Sequence, residues 1–184
     1  MKILIADDES IIRMGLKQML TEMGHTVSAA TNGREALQMA RTQKPDLCIF
    51  DVRMPYTDGV QAAKALAKSQ PTPIILLTAF SDDDLIEQAT ELPIQAYMVK
   101  PVNEGALKAN ILLAVKRFNE TSKLKETGLK LYTALETRKI LDKAKGKLMT
   151  EQGLSEKEAY DKIQLQSRNS RQSMRDVALA VLDS

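Results

Sequence analysis

The sequence of 184 residues carries 26 basic and 24 acidic side chains, a formal charge of +2, and a hydrophobic fraction of 43%. This length allows one ordinary domain with a smaller appendage, and the charge balance excludes a strongly basic coat and an acidic tail. The single Cys48 excludes an internal disulfide framework and a multi-cysteine zinc site, and the lone His25 removes most other metal and triad chemistry.

The first part of the chain alternates short apolar runs with segments of helical periodicity. The predicted strands are 2–6, 25–29, 47–52, 74–77 and 96–99, and the predicted helices are 10–23, 32–43, 58–69, 82–90 and 103–119. Ser10, Ser81 and Asn103 are N-cap candidates for three of these helices. Five strand–helix units in a row predict an α/β fold, with a five-stranded parallel sheet between two layers of helices.

Polar side chains stand at the ends of these strands. Asp7 and Asp8 end the first strand, Asp51 the third, Thr78 the fourth and Lys100 the fifth. Such sheets bind ligands outside the carboxyl ends of their strands, so we expect these side chains to converge there. Three crowded carboxylates repel one another unless a cation lies among them, and an all-oxygen cluster suits Mg²⁺. The lysine and the hydroxyl group would supply the charge and the donor that a phosphoryl group on the third carboxylate requires.

These residues also carry a resemblance to a known family. Ile3 to Glu9, Asp51 to Pro55 with Asp58-Gly59, Thr78-Ala79 and Tyr97 to Pro101 resemble, in order and spacing, the receiver domain of two-component response regulators. The resemblance covers residues 1–119 and implies a flavodoxin-like, doubly wound sheet. One departure is the Leu92 to Ala96 segment, which stands where the family usually has a Gly-Ala pair.

The resemblance implies how phosphorylation would occur. Asp51 would be the phosphoacceptor, receiving a phosphoryl group from a sensor histidine kinase. Asp8 and Asp51 would bind Mg²⁺ directly, Asp7 would help through water, and Arg53 would contribute its backbone carbonyl. Together with the metal, Lys100 would stabilise the phosphoryl oxygens during in-line transfer.

It also implies how the modification would be sensed. Thr78 would donate a hydrogen bond to the attached phosphoryl group, and the small Ala79 would leave room for it. Tyr97 would swing inward as the aromatic switch. Lys100-Pro101 resembles the cis peptide of the family, which would aim the lysine at the site.

The second part of the chain is predicted to be helical throughout, since all six prolines lie within the first 101 residues. A nearly continuous helix is expected from about 104 to 150, with interruptions at Gly105, Gly128 and Gly146. Leucines in the linker 120–133, and one just beyond it, have the spacing of a short coiled coil. The members of this leucine seam are Leu124, Leu131 and Leu135, with Thr121 and Gly128 in register. Dimerisation through this segment and a lone amphipathic connector both remain open.

Residues 134–184 form a predicted all-α bundle of three helices. Gly153 would end the first helix, a capping box of Ser155 and Glu158 would begin the second, and Ser167 to Ser170 would precede a last helix at 171–183. The apolar stripes expected to meet are Ile140, Leu141, Ala144 and Leu148; Ala159, Tyr160 and Ile163; and Met174, Val177, Ala178 and Val181.

Basic residues avoid these stripes and are candidates for binding RNA phosphates. Lys139, Lys143 and Lys147 recur along one line of the first helix, and Arg168, Arg171 and Arg175 are predicted to share an arc around the third. An ordinary solvated face is the alternative, because charge alone does not distinguish the two.

A second resemblance favours RNA. Arg138 to Ile140, Ala144 to Met149, Leu154-Ser155 with Glu158 to Tyr160, Ser167 to Arg171 and Asp176 to Ala178 are similar to the ANTAR domain, the RNA-binding output module of transcription antitermination regulators. The resemblance implies that a paired domain binds hairpin loops in a leader transcript and prevents a terminator from forming. Ala144 and Gly146 are expected to serve close helix packing.

Three functions are compatible with these patterns. The leading interpretation is a phosphorylation-dependent antiterminator that forms a homodimer when phosphorylated. A receiver-controlled regulator that binds duplex DNA through a basic last helix is the alternative. An aspartate-nucleophile phosphatase is disfavoured because Arg53 stands where such enzymes usually carry a second aspartate, so we do not expect an enzyme.

No apolar run approaches the roughly 20 residues that span a bilayer, and Met1 leads into a strand without a signal-peptide core, so a cytoplasmic protein with no membrane contact is expected.

Overall fold

The computed structural model describes residues 1–79 and 93–183, which form two compact units, Met1–Ser122 and Lys123–Ser184. The helix predicted at 82–90, with its Ser81 cap, lies outside the described residues. Within the described part of the chain, no helix has the length and apolar character required to cross a bilayer.

The first unit is built on a five-stranded parallel sheet. Its strands are β1 (Lys2–Ala6), β2 (Thr26–Ala30), β3 (Leu47–Asp51), β4 (Ile74–Thr78) and β5 (Ala96–Val99), arranged in the order β2-β1-β3-β4-β5. The doubly wound flavodoxin-like prediction is therefore confirmed. Strands β3 and β4 are buried along their whole length, which explains why they read as unbroken apolar runs rather than as an alternating pattern.

The helices of this unit are α1 (Ser10–Glu22), α2 (Gly33–Gln43), α3 (Gly59–Ser69) and the first part of α4 (Glu104–Gln152). Asn103 caps α4 as predicted, accepting a hydrogen bond from the amide of Ala106 at 2.8 Å. The prediction for Ser10 was wrong: it is the first residue of α1, and the N-cap is Glu9, whose side chain makes no capping bond.

Separate apolar cores cover the two faces of the sheet. One contains Leu4, Cys48 and Phe50 and packs against α2 and α3. The other contains Ile5 and Ile49 with residues of α1 and the beginning of α4. Because successive strand residues point to opposite faces, alternate positions of β3 serve different cores. Cys48 is 0% exposed, and burial raises the pKa of its thiol far above the ordinary value.

Helix α4 is continuous from Glu104 to Gln152, so the predicted interruptions at Gly105, Gly128 and Gly146 were wrong. A glycine inside a helix costs only about 1 kcal/mol relative to alanine, which neighbouring good helix formers offset. The predicted seam residues Leu124, Leu131 and Leu135 lie on this helix and are 73%, 62% and 58% exposed.

The second unit closes a small bundle from the end of α4, α5 (Glu156–Ser170) and α6 (Met174–Asp183). Its buried core contains six residues, namely Ala144, Leu148, Ala159, Ile163, Val177 and Ala178. Gly153 ends α4 with a φ of +66°, and the capping box of Ser155 and Glu158 begins α5, both as predicted. Tyr160 was wrongly assigned to the apolar stripe, since it is 41% exposed and lies outside this core.

The boundary between the last two helices also differs from the prediction. Helix α5 continues through Ser167 to Ser170, and the hydroxyl of Ser170 donates to the carbonyl of Gln166 at 2.8 Å one turn earlier in the same helix. The chain turns at Arg171, which has a φ of 56°. The arginine arc on one helix was therefore wrong: Arg168 belongs to α5, Arg171 to the turn and Arg175 to α6.

Candidate functional site

Three carboxylates meet at the carboxyl edge of the sheet. Asp7 and Asp8 follow β1 and Asp51 ends β3, the strand beside it, so their side chains come together as the strand order predicts. One ligand oxygen from each lies within 4.8 Å of the other two. Asp7 is 0% exposed and Asp51 is 5% exposed, whereas Asp8 is open to solvent. Charges this close and this buried must be compensated.

Lys100 supplies part of that compensation from the end of β5. Its Nζ lies 2.8 Å from Asp51 Oδ1, 2.8 Å from Asp7 Oδ2 and 3.5 Å from Glu9 Oε1. The backbone amide of Lys100 donates to the carbonyl of Thr78 at 2.9 Å, which fixes where the side chain begins. One ammonium group therefore faces at least two buried carboxylates.

The ionisation of the site reflects this imbalance. Burial raises the pKa of Asp51 to about 6, and the neighbouring Asp7 and Asp8 charges add to the rise while Lys100 opposes it. Burial alone would lower the pKa of Lys100, but the Asp51 and Asp7 carboxylates outweigh it and raise that pKa above its ordinary value. A second cation would relieve the remaining repulsion.

The oxygen set fits Mg²⁺. Asp7 Oδ2 is buried and forms an ion pair with the Lys100 ammonium at 2.8 Å, but it accepts no well-aligned hydrogen bond. Asp7 Oδ1 accepts from the amide of Glu9 at 2.8 Å, so the side chain is held with its other oxygen towards the cluster. Buried carboxylate oxygens with spare lone pairs are the ligands that this hard cation prefers.

The loop after β3 is held by a close approach of Gly59 to Asp51. A Cβ atom at Gly59 would overlap the carbonyl oxygen of Asp51 and lie 2.9 Å from its carbonyl carbon. The amide of Gly59 donates to the carbonyl of Val52 at 3.0 Å, and Asp58 caps α3 by accepting from the amide of Gln61 at 2.7 Å. Helix α3 therefore begins directly against the backbone of the candidate phosphoacceptor.

The remaining residues predicted for this site lie on β4 and β5 and in the loops that follow β3, β4 and β5. Thr78 is 2% exposed and its hydroxyl donates to the carbonyl of Ala79 at 2.9 Å. Tyr97 packs against the core that α2 and α3 cover, and burial raises the pKa of its phenol. Arg53 is exposed in the loop after β3, and the Lys100–Pro101 peptide bond is cis.

Two residues of this site were missed from the sequence. Arg13 of α1 uses one guanidinium nitrogen to donate to the carbonyls of Asp7 at 2.8 Å and Asp8 at 2.9 Å. Glu9 adds the 3.5 Å contact to Lys100. The only available signal was their closeness to the Asp7-Asp8 pair in sequence, which does not say that a side chain will bond backbone carbonyls.

The candidate RNA-binding lysines of the second unit differ in availability. Lys139 pairs with Glu136 at 2.9 Å, and Lys147 lies 3.8 Å from Glu151 and 3.3 Å from the carbonyl of Leu182 at the end of α6. Lys143 is exposed, and the ion pairs among residues 1–79 and 93–183 do not include it. Arg168, Arg171 and Arg175 are likewise exposed.

Comparison with known families assigns both units. The description "Response regulator receiver domain" matches residues 3–112, and the description "ANTAR domain" matches residues 129–182. The chain is a response regulator with a receiver and an ANTAR domain. Both resemblances drawn from the sequence are therefore confirmed, and the three-carboxylate edge lies in the receiver domain.

Relatives of this response regulator cover it in whole or in part. The transcriptional regulatory protein PdtaR of Mycobacterium tuberculosis is 44% identical over 184 residues, covering 100% of this chain and 90% of that protein. The transcriptional regulatory protein AfsQ1 of Streptomyces coelicolor is 36% identical over 115 residues, covering 62% of this chain and 51% of that protein. A solved response regulator receiver domain from Clostridium thermocellum has a TM-score of 0.60 and 31% identity, covering 65% of this chain and 98% of its own.

Proposed function

We propose that this response regulator is a phosphorylation-dependent antiterminator that binds hairpin loops in leader RNA. The observation that carries the proposal is the Asp51 carboxylate, grouped with Asp7 and Asp8 and 2.8 Å from Lys100, in a chain that also matches an ANTAR domain. The full-length similarity to a transcriptional regulatory protein supports a regulatory role in place of an enzymatic one.

In this proposal Asp51 is the phosphoacceptor and a sensor histidine kinase is the donor. A carboxylate oxygen of Asp51 attacks phosphorus in line, the phosphorus–nitrogen bond of the kinase's phosphohistidine breaks, and an acyl phosphate forms. Asp7, Asp8, Asp51 and the backbone carbonyl of Arg53 would hold Mg²⁺, which when bound neutralises charge on the phosphoryl oxygens. Lys100 leaves its ion pair with Asp51 and binds one of those oxygens.

The switch would then act through the neighbouring strands. The Thr78 hydroxyl, which donates to the carbonyl of Ala79 at 2.9 Å, turns to the phosphoryl group, and the small Ala79 side chain leaves it room. Tyr97 follows inward behind it. Part of the energy comes from the new charge-assisted hydrogen bonds, which are about twice as strong as neutral ones.

The output would be made by the helical part of the chain. We assign residues 1–119 to the receiver, 120–133 to a helical linker and 134–184 to the RNA-binding domain, acting in the cytoplasm. Phosphorylation would favour a homodimer through the exposed leucines of the linker, and two linked modules would gain avidity for two RNA loops. The basic residues Lys139, Lys143, Lys147, Arg168, Arg171 and Arg175 are the proposed phosphate contacts.

The helix boundaries favour RNA over duplex DNA. Reading a major groove requires a recognition helix that carries basic and polar side chains. Helix α6 begins at Met174 and carries one basic residue, Arg175, with two acidic ones, Asp176 and Asp183. The basic last helix on which the DNA alternative depended is therefore not formed.

The regulatory proposal predicts that activation changes both affinity and mass. We expect the full chain treated with beryllofluoride and Mg²⁺ to bind a leader hairpin at least about fivefold more tightly than the untreated chain, since coupling free energies are typically 1–3 kcal/mol. The same treatment should raise the mass measured by light scattering towards that of a dimer. Filter binding at fixed salt measures the affinity, with a duplex DNA of equal length as competitor. Equal affinity and mass in both states would overturn the regulatory claim, and stronger competition by the duplex would overturn the choice of RNA.

Lys143 offers a specific test of the basic surface. Changing Lys143 to Gln should lower RNA affinity and flatten the dependence of log affinity on log salt by about 0.7 to 1, the effect of losing one phosphate contact. Lys64→Gln is the control, because Lys64 is exposed on α3 of the first unit, outside the proposed basic surface, and should leave the slope unchanged. An unchanged slope for Lys143→Gln would remove this residue from the interface.

A further inference from the structure

A groove runs along the second unit between α4 and the start of α5. Its volume is about 1130 Å³, and it is lined on the α4 side by Leu129, Thr133, Arg138, Leu141, Gly146 and Met149 among others, and on the α5 side by Glu156 and Tyr160. None of the candidate phosphate-binding lysines or arginines lines it. The groove is therefore a feature separate from the basic surface proposed above.

Gly146 lies in this groove although the fold of the chain does not require a glycine there. A Cβ atom at Gly146 would meet nothing within 4 Å, so the expected role in close helix packing was wrong for this residue, whereas Ala144 is 0% exposed and does pack. A helix-interior glycine weakens the helix relative to alanine. Because no side chain covers the helix backbone at Gly146, a flat molecule in the groove could approach that backbone closely.

The polar wall of the groove is a group of ion pairs that joins the two helices. Lys145 Nζ lies 2.9 Å from Asp142 Oδ1 and 2.7 Å from Glu156 Oε1, so α4 and α5 are joined by one ammonium between two carboxylates. The Lys145 side chain is 15% exposed, which leaves few orientations open to it. This wall offers donors and acceptors at set positions, as the edge of a nucleobase requires.

The other walls offer flat and apolar surfaces. Tyr160 and Met149 are 41% and 40% exposed at the groove. Arg138 adds a planar guanidinium group, which lies 4.0 Å from Asp142. Unstacked bases of single-stranded RNA stack on aromatic rings and on guanidinium planes while their edges form hydrogen bonds.

We propose that this groove receives one unstacked base of an RNA loop, with Tyr160 stacking on the base, Gly146 allowing its close approach and the Lys145 wall reading its edge. The proposal rests on the RNA-binding function above and adds where loop sequence is read. A second copy of the chain fits less well, because a packed helix would bury the Arg138, Asp142 and Glu156 charges, which is costly, whereas a base can satisfy them with hydrogen bonds.

Tyr160 provides the first test, with Tyr132 as its matched control. Tyr132 is also exposed, at 64%, but does not line the groove. A tight-binding hairpin is first selected from a pool with a fixed stem and a randomised loop, using the full chain activated with beryllofluoride. Changing Tyr160 to Ala should then weaken binding by about 5- to 150-fold, the range for loss of one stacked base, with an unchanged salt slope because no charge is lost. Tyr160→Phe should keep most of the affinity, and Tyr132→Ala should bind as the unchanged protein does.

Coupling to a single nucleotide makes the test specific. Each loop nucleotide of the selected hairpin is replaced in turn by an abasic one. At one position the abasic change should weaken binding to the unchanged protein by a similar factor but have no further effect on Tyr160→Ala, since both changes remove the same contact.

Gly146 provides the second test, with Gly128 as its control. Alanine at either position meets open space and should stabilise the helix, so neither variant should fail to fold. Gly146→Ala places a methyl group in the groove and should weaken RNA binding by at least about fivefold, while Gly128→Ala should leave it unchanged.

The outcomes separate this proposal from the function on which it rests. If the unchanged protein selects hairpins but the Tyr160 and abasic effects are additive at every position, the groove proposal fails and RNA binding stands. If Gly146→Ala binds RNA normally, the groove proposal also fails. If light scattering shows that the variants have become monomers, and this accounts for their lower RNA affinity, then a second copy of the chain occupies the groove and a base does not. If no hairpin is selected at all, both proposals fall.

Discussion

Changing Asp51 to Asn should reduce phosphoryl uptake to the background level. The structure gives Asp51 the burial and the Lys100 contact at 2.8 Å that an acyl phosphate would need, and asparagine has no carboxylate oxygen to attack phosphorus. Intact-protein mass spectrometry after incubation with acetyl phosphate and Mg²⁺ measures the uptake. Asp161→Asn, an exposed aspartate of α5, is the control and should be phosphorylated like the unchanged protein. Undiminished uptake by Asp51→Asn would move the phosphoacceptor to another residue.

The same variant should be more stable than the unchanged protein when no divalent metal is present. The pKa of Asp51 is raised from 3.8 to about 6, so the folded protein holds this proton more tightly than the unfolded chain does. As the pH rises through this range, the folded protein must give the proton up and its free energy of unfolding falls, whereas asparagine is unaffected. We expect Asp51→Asn to gain about 1–3 kcal/mol at pH 7, allowing for solvent screening.

The pH and metal dependence of that gain identifies its cause. The difference in unfolding free energy from denaturant titrations should be small near pH 4 and reach its full value above about pH 6 to 7. Saturating Mg²⁺ should reverse this difference in stability, because aspartate at position 51 provides a charged oxygen ligand for the ion and asparagine does not. A gain that is the same at every pH would contradict the electrostatic explanation.

Changing Gly59 to Ala adds one methyl group, and we expect it to lower the free energy of unfolding more than a methyl group added anywhere else at this site. The new Cβ would overlap the Asp51 carbonyl oxygen and lie 3.3 Å from the Val52 Cα atom, and all of these obstacles are backbone atoms. The strand cannot easily move away, since the amide of Val52 donates to the carbonyl of Leu77 at 2.8 Å in β4. We expect a loss of about 3 kcal/mol or more in the free energy of unfolding.

Gly15 is the matched control for that substitution. It lies inside α1, and a Cβ atom there would meet nothing within 4 Å, so Gly15→Ala should stabilise the protein by about 0.5–1 kcal/mol. Urea titration of both variants measures the two effects on one scale. Equal and small effects would show that the approach of α3 to Asp51 is looser than the structure describes.

The sheet and its polar edge could be predicted because they depend on local rules. Strands buried on both faces produce short apolar runs, and parallel strands place their carboxyl ends together, so Asp7, Asp51 and Lys100 could be grouped from the sequence alone. Strand β2, the edge strand Thr26–Ala30, was predicted one residue early, because its Thr-Val-Ser-Ala-Ala sequence has little apolar contrast.

The errors arose where small energies compete. The glycines of α4 did not break the helix, and the serines of α5 did not end it, because each costs about 1 kcal/mol or less and helical neighbours outweigh it. Contacts between a side chain and a distant backbone, such as Arg13 with the Asp7 carbonyl, leave no periodic signal. The groove beside Tyr160 was missed for the same reason, since it depends on the angle between two helices.

The buried thiol of Cys48 can be used to measure how often the sheet of the receiver opens. Because this one cysteine of the chain lies at 0% exposure in β3, three residues before Asp51, an alkylating reagent can reach it only when the sheet separates. The rate of alkylation, compared with that of the unfolded chain, then gives the free energy of that opening. Magnesium or beryllofluoride should slow the alkylation in proportion to the affinity of the acidic edge, so that occupancy can be followed without introducing a probe residue into the chain.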